Sequence, residues 1–191
     1  MNKYDFLSKG IPFAESERIL LRDIAEDEIY DYLYAENGVK NYDEKYAKIR
    51  WTALELAEDL FLAIIDKALG KFVGYVGLQH FDSEMPEFAI AIVPEYQRNY
   101  YASDAIKLVA ERTKQDFGIA RLGAKIFAEN KASIELFKSL GAKLQEDYQA
   151  EKLNVADVLK KAYPELMEKY PDLFETAEED EWEIVYYVLE V

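Results

Sequence analysis

The chain contains no cysteine and one histidine, His80, among its 191 residues. Without thiols there is no disulfide framework, no thiolate zinc site and no cysteine nucleophile, and a single imidazole cannot build a histidine-clustered metal centre. No window approaches the roughly 20 consecutive apolar residues of a membrane span, and the start MNKYDFLSKG lacks an apolar run of secretory length. These absences imply a cytoplasmic protein, with neither metal nor membrane, that relies on an ordinary apolar core. Basic residues are also scarce: 23 Lys and Arg stand against 38 Asp and Glu, for a net charge of -15. That excess repels phosphate backbones at long range, which argues against nucleic acid and favours amine-bearing partners, and it also serves solubility.

What is present is one domain's worth of hydrophobic patterning, without internal repeats, low-complexity tracts or linkers. Glu17 to Asp23 alternates as a half-buried strand around Ile19 and Leu21. A helix follows, with Ile29, Leu33 and the ring stems of Tyr30 and Tyr34 at helical spacing and Asn37-Gly38 as its stop. A second helical stretch is expected from Trp51 to Leu60, then strands at Phe61 to Ile65, Phe72 to Phe81 and Phe88 to Val93, the last ended by Pro94. The pattern then changes to a helix from Ala102 to Phe117 and a strand from Arg121 to Ala128, a crossover that makes its two strands parallel neighbours. A short helix from Ser133 to Leu140, one strand from Ala142 to Lys152, a helical insertion at about 155–177 and a final strand from Trp182 to Val191 complete the reading. The fold class is α/β (α+β), with a mixed, mostly antiparallel sheet around one central parallel pair, flanked by helices.

Two segments concentrate the chemistry. FAIAIVPEYQRNYYASDAI runs from strand to proline to polar loop to amphipathic helix, and such a loop aims backbone amides at one point, a ready anion site assisted by Arg98. AENKASIELFKSLGAK places Asn130 at a strand end before a short helix closed by Gly141. Asn130 there is either a hydrogen-bonding group for a ligand or simply the helix N-cap.

Taken together, the two segments resemble the GNAT superfamily of acetyl-CoA-dependent N-acetyltransferases, most closely its RimJ/RimL-like branch of ribosomal-protein N-terminal acetyltransferases. The resemblance runs from Glu17 to about Lys143 and implies the acyl-CoA N-acyltransferase fold with a splayed parallel pair. It implies that the backbone of Ile90, Ala91 and Ile92 contacts the acetyl and pantetheine groups. Gln97, Arg98, Asn99, Tyr100, Tyr101, Ala102 and Ser103 would grip the pyrophosphate, with Asn130 also at the cofactor. Tyr100 stands where the family usually has a glycine, and Phe137 where many relatives have a tyrosine acid.

The implied reaction is direct attack of a primary amine, on a small molecule or a protein N-terminus, on the thioester. It needs a base, a carbonyl polariser and, for some members, an acid for the departing thiolate. Glu87 is the candidate base, or else a solvated carboxylate at the start of its strand, with Glu129 and the carboxylates of the 155–177 insertion as the fallback. Ser133 is the candidate acid, or only a helix-start residue. His80 is a further base candidate by its titration range. Tyr30 and Tyr34, with Tyr42 and Tyr46, are aromatic neighbours for an ammonium, or core. A homodimer and a non-catalytic CoA-binding or regulatory module remain as further expectations.

Overall fold

The computed structural model describes residues 12–81, 83–146, 148, 152–154 and 181–191. The expected insertion at 155–177 lies outside them. The chain divides into two compact units, Met1–Gly123 with Glu190–Val191, and Ala124–Leu189.

The first unit opens with β1 (Ala14–Glu15), β2 (Ile19–Asp23), a 3-10 turn (Glu26–Glu28), α1 (Ile29–Asn37) and α2 (Glu44–Leu56). It continues through β3 (Leu60–Asp66), β4 (Lys71–Gln79), β5 (Glu87–Ile92), a second 3-10 turn (Pro94–Tyr96), α3 (Tyr101–Phe117) and the start of β6 (Arg121–Phe127). Strands β1 to β5 pair in sequence order, each antiparallel to the next. β5 then meets β6 in parallel at Glu87↔Gly123, as the crossover through α3 predicts.

The central strand β4 is buried at every position from Phe72 to Leu78, because helices cover the sheet. α1 and α2 supply Ile29, Tyr32, Leu33, Ala35 and Ala47 to a cluster with Ala63, Ile65, Phe72, Tyr75 and Val93. α3 packs on β1, β2, β4 and β5 and buries Ala105, Ile106, Val109 and Ala110. Each fully buried Leu33, Ile106 or Val109 contributes about 2 kcal/mol of transfer free energy.

Three expectations are corrected in this unit. The apolar face of α1 is formed by Tyr32 and Ala35 with Ile29 and Leu33, whereas Tyr30 is 42% exposed and Tyr34 half-buried. α2 spans Glu44–Leu56 rather than Trp51 to Leu60: the Asp43 side chain accepts the Tyr46 amide at 2.8 Å and starts the helix ahead of its apolar pattern. Leu60 instead opens β3, fully buried.

The second unit contains the rest of β6, α4 (Lys131–Ser139), β7 (Lys143–Leu144), β8 (Lys152–Asn154) and β9 (Glu181–Glu190). β9 lies beside β6 and pairs antiparallel with both β7 and β8. The single strand expected from Ala142 to Lys152 is thus two short ones that meet different stretches of β9. α4 begins two residues before Ser133 because Asn130 caps it, and Gly141 follows its C-cap at φ 90°.

Candidate functional site

β5 is held to β4 through Val76↔Ile90, Tyr75↔Ala91 and Gly74↔Ile92, and Ile90, Ala91 and Ile92 are half-buried. A Cβ on Gly74 would lie 2.4 Å from the Ala91 carbonyl oxygen and 2.9 Å from the Ile92 Cα, so the two backbones approach as only glycine permits. Proline cannot extend a ladder, and after Pro94–Tyr96 the chain turns through Gln97 to Tyr100 into α3.

Arg98 and Tyr100 both have positive φ, 61° and 62°. Tyr100 is the N-cap of α3 in the left-handed conformation, its ring 78% exposed, and no side chain caps the helix. The first helical hydrogen bond is donated by Asp104 to the Tyr100 carbonyl at 3.0 Å. The amides of Tyr101, Ala102 and Ser103 therefore lack intrahelical acceptors and face the helix entrance. The side chains of Gln97 and Asn99 brace the loop: Gln97 Nε2 donates to the Ile92 carbonyl at 3.1 Å, and Asn99 Nδ2 to the carbonyls of Tyr96 and Gln97 at 3.3 and 3.0 Å. The loop carbonyls of Ile92, Tyr96 and Gln97 are thus engaged, while the first three amides of α3 stand open at the helix entrance.

Tyr101 differs from its neighbours in pointing inward. Its ring is 6% exposed, its hydroxyl donates to Asp66 Oδ2 at 2.6 Å, and Arg18 lies 4.1 Å above its face. Asp66, at the end of β3, also accepts the Leu69 amide at 2.7 Å. The Tyr101 hydroxyl, then the turn amides, hold the Asp66 carboxyl below its usual range, and Asp66 in return pushes the phenol up. This side chain anchors the loop from beneath.

Two clefts open beside α1. The larger, of about 620 Å³, is lined by Tyr30, Asp31 and Tyr34 of α1, by Lys40, and by Val93, Glu95 and Tyr96 beyond β5. Lys40 Nζ is 2.6 Å from Glu95 Oε1 and 4.5 Å from the Tyr34 ring centre. Lys40, then the Tyr34 hydroxyl, draw the Glu95 carboxyl down to about 2, an exposed arrangement that salt screens.

The smaller cleft, of about 320 Å³, is lined by Tyr32, Phe61 and Tyr75, by Glu36 and Arg50, and by Gln79 and Ala89. Its rings stand 4.5 Å (Tyr32–Tyr75), 6.0 Å (Phe61–Tyr75) and 6.4 Å (Tyr32–Phe61) apart. Arg50 Nη2 donates to both oxygens of Glu36 at 2.9 and 2.8 Å. Burial raises the Tyr32 phenol to about 12, so it stays protonated at neutral pH. None of Tyr32, Phe61, Tyr75, Glu36 or Arg50 was singled out by sequence. The signal for Tyr32 and Glu36 was their i, i+3 and i, i+7 spacing from Ile29.

Glu87 sits opposite Gln79, and the period of two places it on the face of β5 that carries Ala89 and Ala91. It thus shares a face with the smaller cleft. Val93, beside the larger cleft, is six residues on, or about 20 Å along an extended strand. The structure does not bring Tyr30 and Tyr34 together with Glu87. His80 is exposed, with φ 53° and its amide donated to Asp59 Oδ1 at 2.9 Å.

In the second unit, Asn130 Oδ1 accepts the Ser133 amide at 3.1 Å, so the N-cap reading of Asn130 holds and its Oδ1 is engaged within the helix start. Ser133 is half-buried in the first turn, and Phe137 is 3% exposed. Among the described residues, no three His, Asp or Glu side chains gather as metal ligands, and no helix is long and apolar enough to cross a membrane.

Residues 13–143 match the acetyltransferase (GNAT) domain family. The chain therefore belongs to the GNAT family and, by class, is an N-acetyltransferase. The uncharacterized N-acetyltransferase YoaA of Bacillus subtilis is 25% identical over 146 residues, covering 68% of this chain and 82% of YoaA. A GNAT-family acetyltransferase of Bacillus anthracis superposes with a TM-score of 0.66 at 16% identity, covering 93% of this chain and 97% of the other. A Vibrio cholerae structure described as a ribosomal-protein-serine acetyltransferase superposes at 0.62 with 18% identity, again covering 93% and 97%. These superpositions identify the fold.

Proposed function

We propose that the protein transfers the acetyl group of acetyl-CoA to a primary amine, carried by a small molecule or a protein N-terminus, in the manner of the RimJ/RimL-like branch. The observation that carries this reading is the uncapped start of α3 on a braced loop directly after β5. The amides of Tyr101, Ala102 and Ser103 and the Arg98 guanidinium would hold the pyrophosphate, with Gln97, Asn99 and Tyr100 fixing the loop's path. The backbone of Ile90, Ala91 and Ile92 would align the pantetheine and polarise the thioester carbonyl. Bound acetyl-CoA supplies the activated acyl carbon. The amine nitrogen would bond to that carbon as the carbon–sulfur bond breaks, the proton lost from nitrogen passing to Glu87, directly or through water, and CoA leaving as a thiolate that takes up a proton. The family pattern assigns Asn130 to the cofactor and Ser133 to the departing sulfur.

The amine being acetylated belongs in this reading at the smaller cleft, because Ala89 and Glu87 share its face of β5. Tyr30 and Tyr34 would then act on a more distant cation or at an entrance. We further propose a cytoplasmic, single-domain protein with 155–177 as an insertion, acting without metal, nucleic acid or membrane, and able to form a homodimer.

Calorimetric titration with acetyl-CoA, free CoA and ATP tests the donor site. Micromolar affinity for both CoA species but not ATP is the expected result, and no binding at millimolar acetyl-CoA would leave the non-catalytic module as the better reading. Glu87→Gln is expected to lower turnover at near-neutral pH with donor affinity retained; full activity would remove Glu87 as the base.

A further inference from the structure

From Pro94 to Ser103 the chain has no glycine, yet Arg98 and Tyr100 have positive φ, 61° and 62°. An L-residue enters the left-handed region against its own Cβ and stays there only where its surroundings fix it. Beside Arg98 stands Asn99, whose Nδ2 donates back to the Tyr96 and Gln97 carbonyls. Tyr100 does nothing comparable with its own side chain: the ring is 78% exposed, and no side chain caps the helix it begins.

The next residue supplies the constraint. Tyr101 is buried, its hydroxyl donates to Asp66 Oδ2 at 2.6 Å, and Arg18 lies 4.1 Å over its ring. Tyr96, where the loop begins, meets that ring edge-on at 6.3 Å. Asp66 is held in turn: its Oδ1 accepts the Leu69 amide at 2.7 Å, its carbonyl accepts the Gly70 amide at 2.8 Å, and in β3 it pairs with Ile19 and Lys71. One buried phenol therefore joins the turn after β3, the start of the loop and the first residue of α3. With residue 101 fixed from beneath, Tyr100 is left the left-handed course into the helix.

We infer that Tyr101 is a positioning residue for the acetyl-CoA donor: through Asp66 it holds Tyr100 in the conformation that opens the first amides of α3, a task that glycine at position 100 would make unnecessary. The inference rests on the donor site proposed above. Without the anchor, a left-handed tyrosine becomes a minor conformer, and apparent donor affinity falls with its population. Glycine takes the left-handed region about as readily as the right-handed one, so a chain with glycine there keeps the conformer by itself.

The test places Tyr101→Phe in the parent chain and in Tyr100→Gly, and titrates each calorimetrically with acetyl-CoA and free CoA at a temperature where circular dichroism shows it folded. In the parent, Tyr101→Phe is expected to weaken both ligands about five-fold, the worth of one hydrogen bond. In Tyr100→Gly the same change is expected to cost less than about two-fold, because roughly half of the glycine population is already left-handed. A tyrosine that only filled the core would cost the same in both chains, since neither its cavity nor its lost bond depends on residue 100. Asp66→Ala removes the same bond from the other side and repeats the comparison should Tyr101→Phe not fold. Equal losses in the two chains, or no loss in the parent, overturn the inference. If neither the parent nor Tyr100→Gly binds CoA at millimolar concentration, the donor-site reading fails and this inference falls with it.

Discussion

Tyr100 holds a conformation that an L-residue other than glycine adopts at a cost of about 1–2 kcal/mol. Its side chain returns little of this, being 78% exposed. Tyr100→Gly is therefore expected to gain roughly 0.5–1 kcal/mol, the relief of strain exceeding the added entropy of the unfolded glycine. Thermal unfolding checks the gain, and unchanged acetyl-CoA affinity would show that the tyrosine already gives the loop its glycine-like path. Tyr101→Phe should act in the opposite direction. It removes the main hydrogen bond to a buried carboxylate, for an expected loss of about 1–3 kcal/mol at pH 7. Because the folded pKa of Asp66 lies below the ordinary 3.8, its contribution is present above that value and fades as pH falls through the folded pKa. The difference between Tyr101→Phe and the parent protein in denaturant unfolding should thus narrow from pH 6 toward pH 2.

At the scale of elements, β4 owes its close seating on both neighbours to glycine, Gly74 against β5 and Gly77 against β3. A Cβ on Gly77 would meet the Leu60 carbonyl oxygen at 2.6 Å and the Phe61 ring at 2.7 Å. Gly77→Ala is expected to destabilise by about 1–3 kcal/mol and to displace Phe61 from the wall of the smaller cleft. Steady-state kinetics should show a higher KM for the amine with donor affinity retained. Elements defined by their own residues were legible in the sequence. Ile19 and Leu21 alternate, Gly38 and Gly118 stop their helices at φ 69° and 68°, and Pro94 ends β5. What escaped were features decided by tertiary contacts. The start of α2 depends on one cap at Asp43, and the division of residues 142–154 into two strands depends on β9, far along the chain. The turn from Gln97 into α3 was likewise legible, because a proline ends the strand before it and an amphipathic helix follows. The rings of Tyr32, Phe61 and Tyr75 come from three separate elements, so no local spacing could announce their cleft.

Over the whole molecule, a net charge of -15 creates a field that draws amines and holds off polyanions. The kcat/KM for a cationic amine should fall several-fold as ionic strength rises from about 0.01 to about 0.15 M, over which the Debye length contracts from about 30 to about 8 Å. An uncharged competitive ligand of the same cleft should show little change, and equal salt sensitivity of the two would remove steering as the cause.

The open start of α3 presents peptide groups, which every residue carries, whereas the two clefts beside α1 are assembled from side chains, which substitution can exchange. Substitution at the exposed positions of α1 and α2 can therefore reshape the clefts while the open amides at the start of α3 stay as they are. A surface made of peptide groups thus offers the same donors whichever side chains flank it, whereas a wall of rings changes shape with each substitution.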